Sequence, residues 1–164
     1  MLIRDARPAD LPAVAEIYAH YVLTSTATFE EVPPTEADWR ARFDTVGSLG
    51  LPFLVGELDG RVAGYAYCGT YRPRPAYRHT VENSIYLAAT ATGQGLGGAL
   101  LRRLVEGCVE RDVRQIIAVV ADGPAASASL ALHRRHGFTD AGRLVGVGHK
   151  HGQWLDTILM QRAL

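Results

Sequence analysis

Cysteine is scarce in this sequence. Of 164 residues two carry a thiol, Cys68 and Cys108. Neither has a CxxC partner or lies at metal-ligand spacing, which argues against a metal site. A nucleophilic cysteine wants a paired histidine, and none stands close to either in sequence. Cys68 falls in a strand-like run and Cys108 in a helical one, so both are expected to be small buried apolar residues. Net charge is missing as well. Lys+Arg and Asp+Glu number 17 each, which leaves no electrostatic footprint for nucleic acid or an anionic membrane. No apolar run approaches the ~20 residues of a membrane helix. The opening MLIRDARPAD lacks the charged-then-apolar layout of a secretory signal, and the expected compartment is the cytoplasm. Repeats, low-complexity tracts and interdomain linkers are also absent. With 48% hydrophobic and 21% charged residues, the chain reads as one domain over 1–164 with a real core.

What is present is a change of period along the chain. LIRDA reads as a short strand. In ADLPAVAEIYAHYV, Leu11, Val14, Ile17, Tyr18 and Tyr21 recur at helical spacing, with Asp10 placed as the N-cap. PPTEADWRARF reads as a second helix, opened by a capping box of Thr35 and Asp38 after Pro34. The polar, proline-bounded TSTATFEEVPP between them is a loop. PFLVGEL and RVAGYAYCG then form a hairpin about Asp59-Gly60. YRPRPAYRH is a basic loop and TVENSIYLA a strand. Leu96, Leu100, Leu104 and Cys108 make the next helical stripe. RQIIAVVA is a continuous apolar run of the kind found in buried strands. ASASLALHRRHGF is a helix closed by Gly137. Two further strands are expected around RLVGVG and WLDTILMQR. The order β-α-α-β-β-β-α-β-α-β-β is an α/β arrangement on one mixed sheet, antiparallel first and with a βαβ unit later.

The stretch GQGLGGALLRRLVEGCVE carries the strongest chemical signal. Glycines let backbone approach an anion, and the start of a helix supplies unpaired N–H groups at a positive dipole end. Gly93, Gly95 and Gly98 satisfy G-x-G-x-x-G, but a dinucleotide fold places that turn first in the chain and directly after its strand. Here half the chain precedes it and AATAT intervenes. No Gly-Lys-Ser/Thr follows, which removes the P-loop. A pyrophosphate held on the amides around Gly95 to Gly98 competes with a turn that merely packs a helix on a sheet.

The strand, the glycine turn, the long helix, the apolar strand and the helix ending LALHRRHGF together resemble the GNAT-type N-acetyltransferases. The resemblance implies a GNAT fold: a mixed central sheet with a splayed parallel strand pair, flanked by helices. It implies acetyl-CoA bound in the V between the splayed strands, and no metal. The family's pyrophosphate pattern falls on Thr92-Gly93-Gln94-Gly95-Leu96-Gly97, with Thr92 replacing a long polar side chain. Gly98 extends the same turn. TATFEEVPPTEADWRARF, AYRHTVENSIYL and HKHGQWLDTILMQR narrow the likeness to the phosphinothricin and methionine sulfone/sulfoximine acetyltransferases. These are typically homodimers acting on the α-amino group of small amino-acid analogues.

Site residues follow from that resemblance. Glu82 is the expected base, because an amine must be neutral to attack a thioester. Asn83 and Ser84 border the substrate. Ile85, Tyr86 and Leu87 offer main-chain groups to the pantetheine arm and the acetyl carbonyl. His133 takes the position of a family tyrosine that protonates the leaving thiolate, a role that competes with a histidine merely bridging to a neighbouring loop. Ala126 replaces the asparagine that usually binds pantetheine, leaving Ser127 or Ser129 as substitutes. Arg72, Arg74 and Arg78 are candidates for the substrate carboxylate. Phe29 and Tyr77 are candidate pocket walls, and Glu30 a candidate partner for the ammonium. Lys150, Trp154 and Asp156 match the C-terminal signature and shape either the site or a dimer contact. Two rival readings remain at this stage: an acetyltransferase with another amine acceptor, such as a protein N-terminus or an antibiotic, and a non-catalytic CoA-binding module.

Overall fold

The computed structural model describes residues 1–164. Strands β1 (Leu2–Asp5), β2 (Phe53–Leu58), β3 (Arg61–Thr70), β4 (Thr80–Leu87), β5 (Gln115–Ala121), β6 (Thr139–Lys150) and β7 (Gln153–Ala163) form one sheet in the order β1-β2-β3-β4-β5-β7-β6. Helices α1 (Leu11–Thr24), α2 (Glu36–Ser48), α3 (Leu96–Val109) and α4 (Ala126–Arg135) cover its faces. The chain order matches the expected one, and the mixed sheet is the expected α/β class.

Period-two alternation splits the core into two layers. Leu54, Ala66 and Cys68 point toward the buried stripe of α3. Their neighbours Phe53, Val55 and Tyr65 point the other way, toward α1 and α2. The second layer is aromatic: the Trp39 ring stands edge-on to Tyr18 at 5.4 Å and to Tyr65 at 5.6 Å. In the first layer a Cβ at Gly56 would come within 2.6 Å of the Leu96 side chain. One at Gly64 would come within 3.2 Å of Leu96 and 2.5 Å of Leu87. These two bare positions let the first turn of α3 settle directly on the sheet. The Cys68 and Cys108 sulfurs lie 3.5 Å apart as free thiols, both fully buried.

All neighbouring strands are antiparallel except β4 and β5, whose parallel pairing covers only Thr80–Glu82 against Gln115–Ile117. Beyond it β4 stays bonded to β3 as far as Leu87, and β5 to β7 as far as Ala121. Residues 83–87 and 118–121 therefore diverge into a V.

Local signals were read correctly at Thr35, whose hydroxyl accepts from the Asp38 N–H at 3.2 Å while Asp38 accepts from the Thr35 N–H at 2.8 Å. Asp59 and Gly60 both adopt positive φ in the hairpin turn. Asp10 is a correction. Its carboxylate makes no cap bond to α1. It accepts from Arg4 Nη1 at 2.7 Å and Nη2 at 2.8 Å, and from the Arg7 N–H at 2.7 Å. A bidentate guanidinium outcompetes a single helix N–H.

The Arg4 guanidinium holds the Asp10 carboxyl below its ordinary value. A depressed folded pKa contributes stability that is present above the unfolded value of about 3.9 and lost as pH falls through it toward the folded value. Asp10→Asn is expected to lower stability near neutral pH by about 2 kcal/mol. It should also flatten the pH dependence of the urea midpoint below about pH 4. Equilibrium unfolding at pH 7 and across the acid range checks both.

Candidate active site

The V between β4 and β5 opens into a cavity of about 600 Å³, walled by Glu82 through Leu87 on one side and Ala118 through Ala121 on the other. Its far end is closed by Gly95, Gly97 and Gly98 at the start of α3, and by Ala126, Ser129, Leu132 and His133 on α4. The Ala88 N–H donates to the Ala63 carbonyl at 2.8 Å. Antiparallel alternation then turns the main-chain groups of Tyr86 and Ser84 toward β3, and those of Leu87, Ile85 and Asn83 toward the V. There no β5 residue pairs with them. Gly95 caps α3 with φ +81°, a conformation that favours glycine. The first amides of α3 thus face the cavity with no intrahelical acceptor. A strand edge left unpaired by β5, its Leu87 carbonyl alone taken by the Tyr21 hydroxyl, and leading to a helix start that attracts anions, suits an elongated ligand with amide and phosphate parts. The buried Asn83 Oδ1, which has no partner in the protein, adds a waiting acceptor in the same wall.

The Acetyltransferase (GNAT) family model matches residues 14–138. The chain is 52% identical over 162 residues to phosphinothricin N-acetyltransferase of Alcaligenes faecalis, covering 99% of this chain and 82% of that one. It is 42% identical over 160 residues to the L-methionine sulfoximine/L-methionine sulfone acetyltransferase of Pseudomonas aeruginosa, covering 97% and 92%. The crystal structure of a phosphinothricin acetyltransferase from Sinorhizobium meliloti in complex with AcCoA superposes with a TM-score of 0.95 at 48% identity, covering 99% of this chain and 88% of that one. This chain belongs to the GNAT family. It is an N-acetyltransferase of the phosphinothricin and methionine sulfone/sulfoximine branch.

In this acetyltransferase Glu82 sits on the last paired residue of the β4–β5 ladder, where the V begins. Burial pushes its carboxyl above the ordinary value, and the positive charge of Arg72 opposes that rise. Arg72 shares a second recess with Tyr71, Pro73, Arg74 and Tyr77, and its guanidinium lies 5.1 Å over the Tyr71 ring. Arg78 lines neither cavity and is exposed, its Nη1 donating to the Pro75 carbonyl at 3.4 Å.

His133 is 2% exposed. Its Nδ1 lies 2.8 Å from the Ser129 carbonyl, which requires a proton on Nδ1. In the neutral ring Nε2 is then an acceptor, met by Asn83 Nδ2 at 3.0 Å. Burial lowers the imidazole pKa despite the Ser129 bond. Both nitrogens are engaged, so the resting site presents no free His133 N–H to a thiolate. This departs from the proton-donor expectation and agrees with the bridging reading, with strand β4 rather than a loop as the partner.

Glu30 lies in a contact of its own: its Oε1 accepts from Arg42 Nη2 at 3.0 Å and from the Tyr18 hydroxyl at 3.1 Å, and it lines neither cavity. The Phe29 ring lies against Gly148 rather than among the cavity-lining residues. Gln94 donates from Nε2 to the Thr90 carbonyl at 2.8 Å, and Leu96 is fully buried in the core. Neither side chain lines the cavity, leaving only main-chain groups for a cofactor role. Ser129 lines the cavity and Ser127 does not. Tyr21, Ala27 and Arg135 line it without having been foreseen. Tyr21 carried only a helix-stripe signal, yet its hydroxyl donates to the Leu87 carbonyl at 2.7 Å. Arg135 was legible as a cation in the turn before Gly137.

The neutral, Nδ1-protonated ring has a direct readout. Imidazole ¹⁵N shifts are expected to report that tautomer for His133 at pH 7, with protonation beginning below the ordinary value of about 6.5. An imidazolium at pH 7 would contradict the arrangement.

Proposed function

We propose that this acetyltransferase moves the acetyl group of acetyl-CoA directly to the α-amino group of a small amino-acid analogue, within a ternary complex. The acceptor class is that of phosphinothricin, methionine sulfoximine and methionine sulfone. The observation that carries the reading is a half-buried Glu82 in the cavity wall, its carboxyl pushed up by burial and held back by the positive charge of Arg72 from the second recess. An α-amino acid presents an ammonium and a carboxylate a few bonds apart, and these two residues offer one group to each. The names of the related enzymes point to the same acceptors.

In this mechanism acetyl-CoA lies along the free edge of β4, its pyrophosphate on the amides of Gly95, Gly97 and Gly98. Ile85 and Leu87 supply main-chain partners to the pantetheine arm. The Leu87 amide stabilises negative charge developing on the acetyl oxygen. Glu82 takes a proton from the ammonium, directly or through water. The amine lone pair then forms the N–C bond, the C–S bond breaks, and the proton the nitrogen sheds on becoming an amide passes, directly or through water, to the departing thiolate. In the resting geometry His133 fixes Asn83, and its Nε2 can donate a proton only after the Asn83 contact opens and the ring has taken up a second proton. Ser84 lines the acceptor end. Arg74 and Tyr77 extend the recess beside Arg72, while the exposed Arg78 stays outside it. The assembly is a homodimer. Its supporting observation is the outer edge strand β6, where Leu144, Val145 and Val147 are exposed with Trp154 of β7 beside them.

Thiol release from acetyl-CoA with phosphinothricin, methionine sulfoximine and methionine sulfone, against glutamate and methionine, tests the acceptor. Turnover is expected with at least one analogue. Glu82→Gln should lower kcat about 100-fold or more while acetyl-CoA affinity stays unchanged. The base must be deprotonated, so the acid limb of kcat/KM is expected above the ordinary carboxylate range and should vanish in the variant. Turnover that survives Glu82→Gln moves the base elsewhere. No release with the panel, while acetyl-CoA still binds, overturns the acceptor class. Sedimentation is expected to give a dimer that Val145→Glu weakens.

A further inference from the structure

A buried lysine lies outside the chemistry described so far. Lys150, the last residue of β6, is 1% exposed. Its Nζ donates to the main-chain carbonyl of Thr28, 122 residues away, at 2.8 Å. Burial pulls its ammonium pKa down, and the charges of Glu31 and Glu30 oppose that fall. Burying an ammonium for one carbonyl bond is costly unless it fixes something.

What it fixes is the segment of residues 25–35 between α1 and α2. That segment starts at the β4 side of the V, where Tyr21 of α1 bonds the Leu87 carbonyl. By Thr26 it has reached the β5 side: a Cβ at Gly123, just past β5, would come within 2.6 Å of Thr26 Oγ1. Ala27 lines the cavity. Thr28 is tied on one side by Lys150 and on the other by Tyr18, whose hydroxyl lies 2.6 Å from Thr28 Oγ1. The next residue, Phe29, occupies space over Gly148 that a side chain there would fill. The two halves of the sheet share only three paired residues across β4 and β5. This segment is therefore a second bridge across the V, on the acceptor side.

We propose that Lys150 is a positioning residue for the acceptor amino acid. Its ammonium locks the Thr28 carbonyl, and thereby holds Ala27, with Phe29 seated on Gly148 behind it, as the wall against which the acceptor is bound. The donor end at Gly95 to Gly98 is built from other segments and does not depend on it. The acceptor half of this inference rests on the acceptor class proposed above; the locking of the segment does not.

Lys150→Met keeps the length and apolar stem and removes the donor. Gly148→Ala leaves Lys150 intact and displaces Phe29. Both variants are expected to raise the acceptor KM about tenfold or more while acetyl-CoA affinity, measured by calorimetry, stays within about twofold. Amide hydrogen exchange of the ligand-free protein is expected to show lost protection confined to residues 25–35 in Lys150→Met. A purely structural lysine would instead lower Tm with acceptor KM unchanged, or weaken donor and acceptor binding together. Either result overturns the proposal, as does wild-type protection of the segment in Lys150→Met. If wild-type enzyme acetylates none of the panel, the acceptor reading fails by itself, and the exchange data still decide whether Lys150 locks the segment.

Discussion

Everything at this site depends on a ladder that stops early. A parallel pair that continued past Glu82 and Ile117 would consume the free edge of β4 in hydrogen bonds to β5. Ending it after three residues leaves the main-chain groups of Asn83 and Ile85 and the Leu87 amide unpaired by β5 along the cavity wall. Such groups need partners, and a ligand rich in amides supplies them. The divergence is sustained from both sides. β3 keeps β4 straight to Leu87, β7 keeps β5 paired to Ala121, and α3 and α4 fill the space behind.

The divergence also separates the site into two ends with different materials. The donor end is mostly backbone: a strand edge and the opening amides of α3, held close to the sheet because Gly56 and Gly64 leave room for Leu96. The end proposed for the acceptor is mostly side chain. Glu82, Arg72, Tyr21 and the Lys150–Thr28 contact come from separate parts of the chain.

That difference explains what could be read in advance. Helices, strands and their order were legible because period and turn chemistry are local: the Thr35–Asp38 box, the Asp59-Gly60 turn and the stripe from Leu96 to Cys108 stand as expected. The glycine turn was legible for the same reason. Asp10 was misplaced because its partner Arg4 arrives from β1, and a local cap rule does not see a guanidinium delivered by another strand. At Glu30 the motif marks the loop but not Arg42, which reaches the carboxylate from α2. His133 was recognised as a site residue, but its hydrogen-bond directions depend on Asn83 lying opposite it across the α4–β4 contact. Tyr21 looked like one more core residue because stripe position does not say where a hydroxyl points.

The same asymmetry bears on how such an enzyme changes acceptor. A side-chain substitution at the donor end leaves its main-chain groups in place, since Gln94 and Leu96 line the turn without presenting side chains to the cavity. At the acceptor end one substitution removes a charge, a wall or a tie outright. On the proposed reading, donor binding tolerates side-chain substitution and acceptor choice does not. The segment between α1 and α2 is where that sensitivity concentrates. It is an irregular span with little secondary structure of its own to hold it, and it keeps its shape through Tyr18, Arg42, Gly148 and Lys150. On the proposed reading, changing any of these four alters the wall seen by the amino acid without touching the V between β4 and β5.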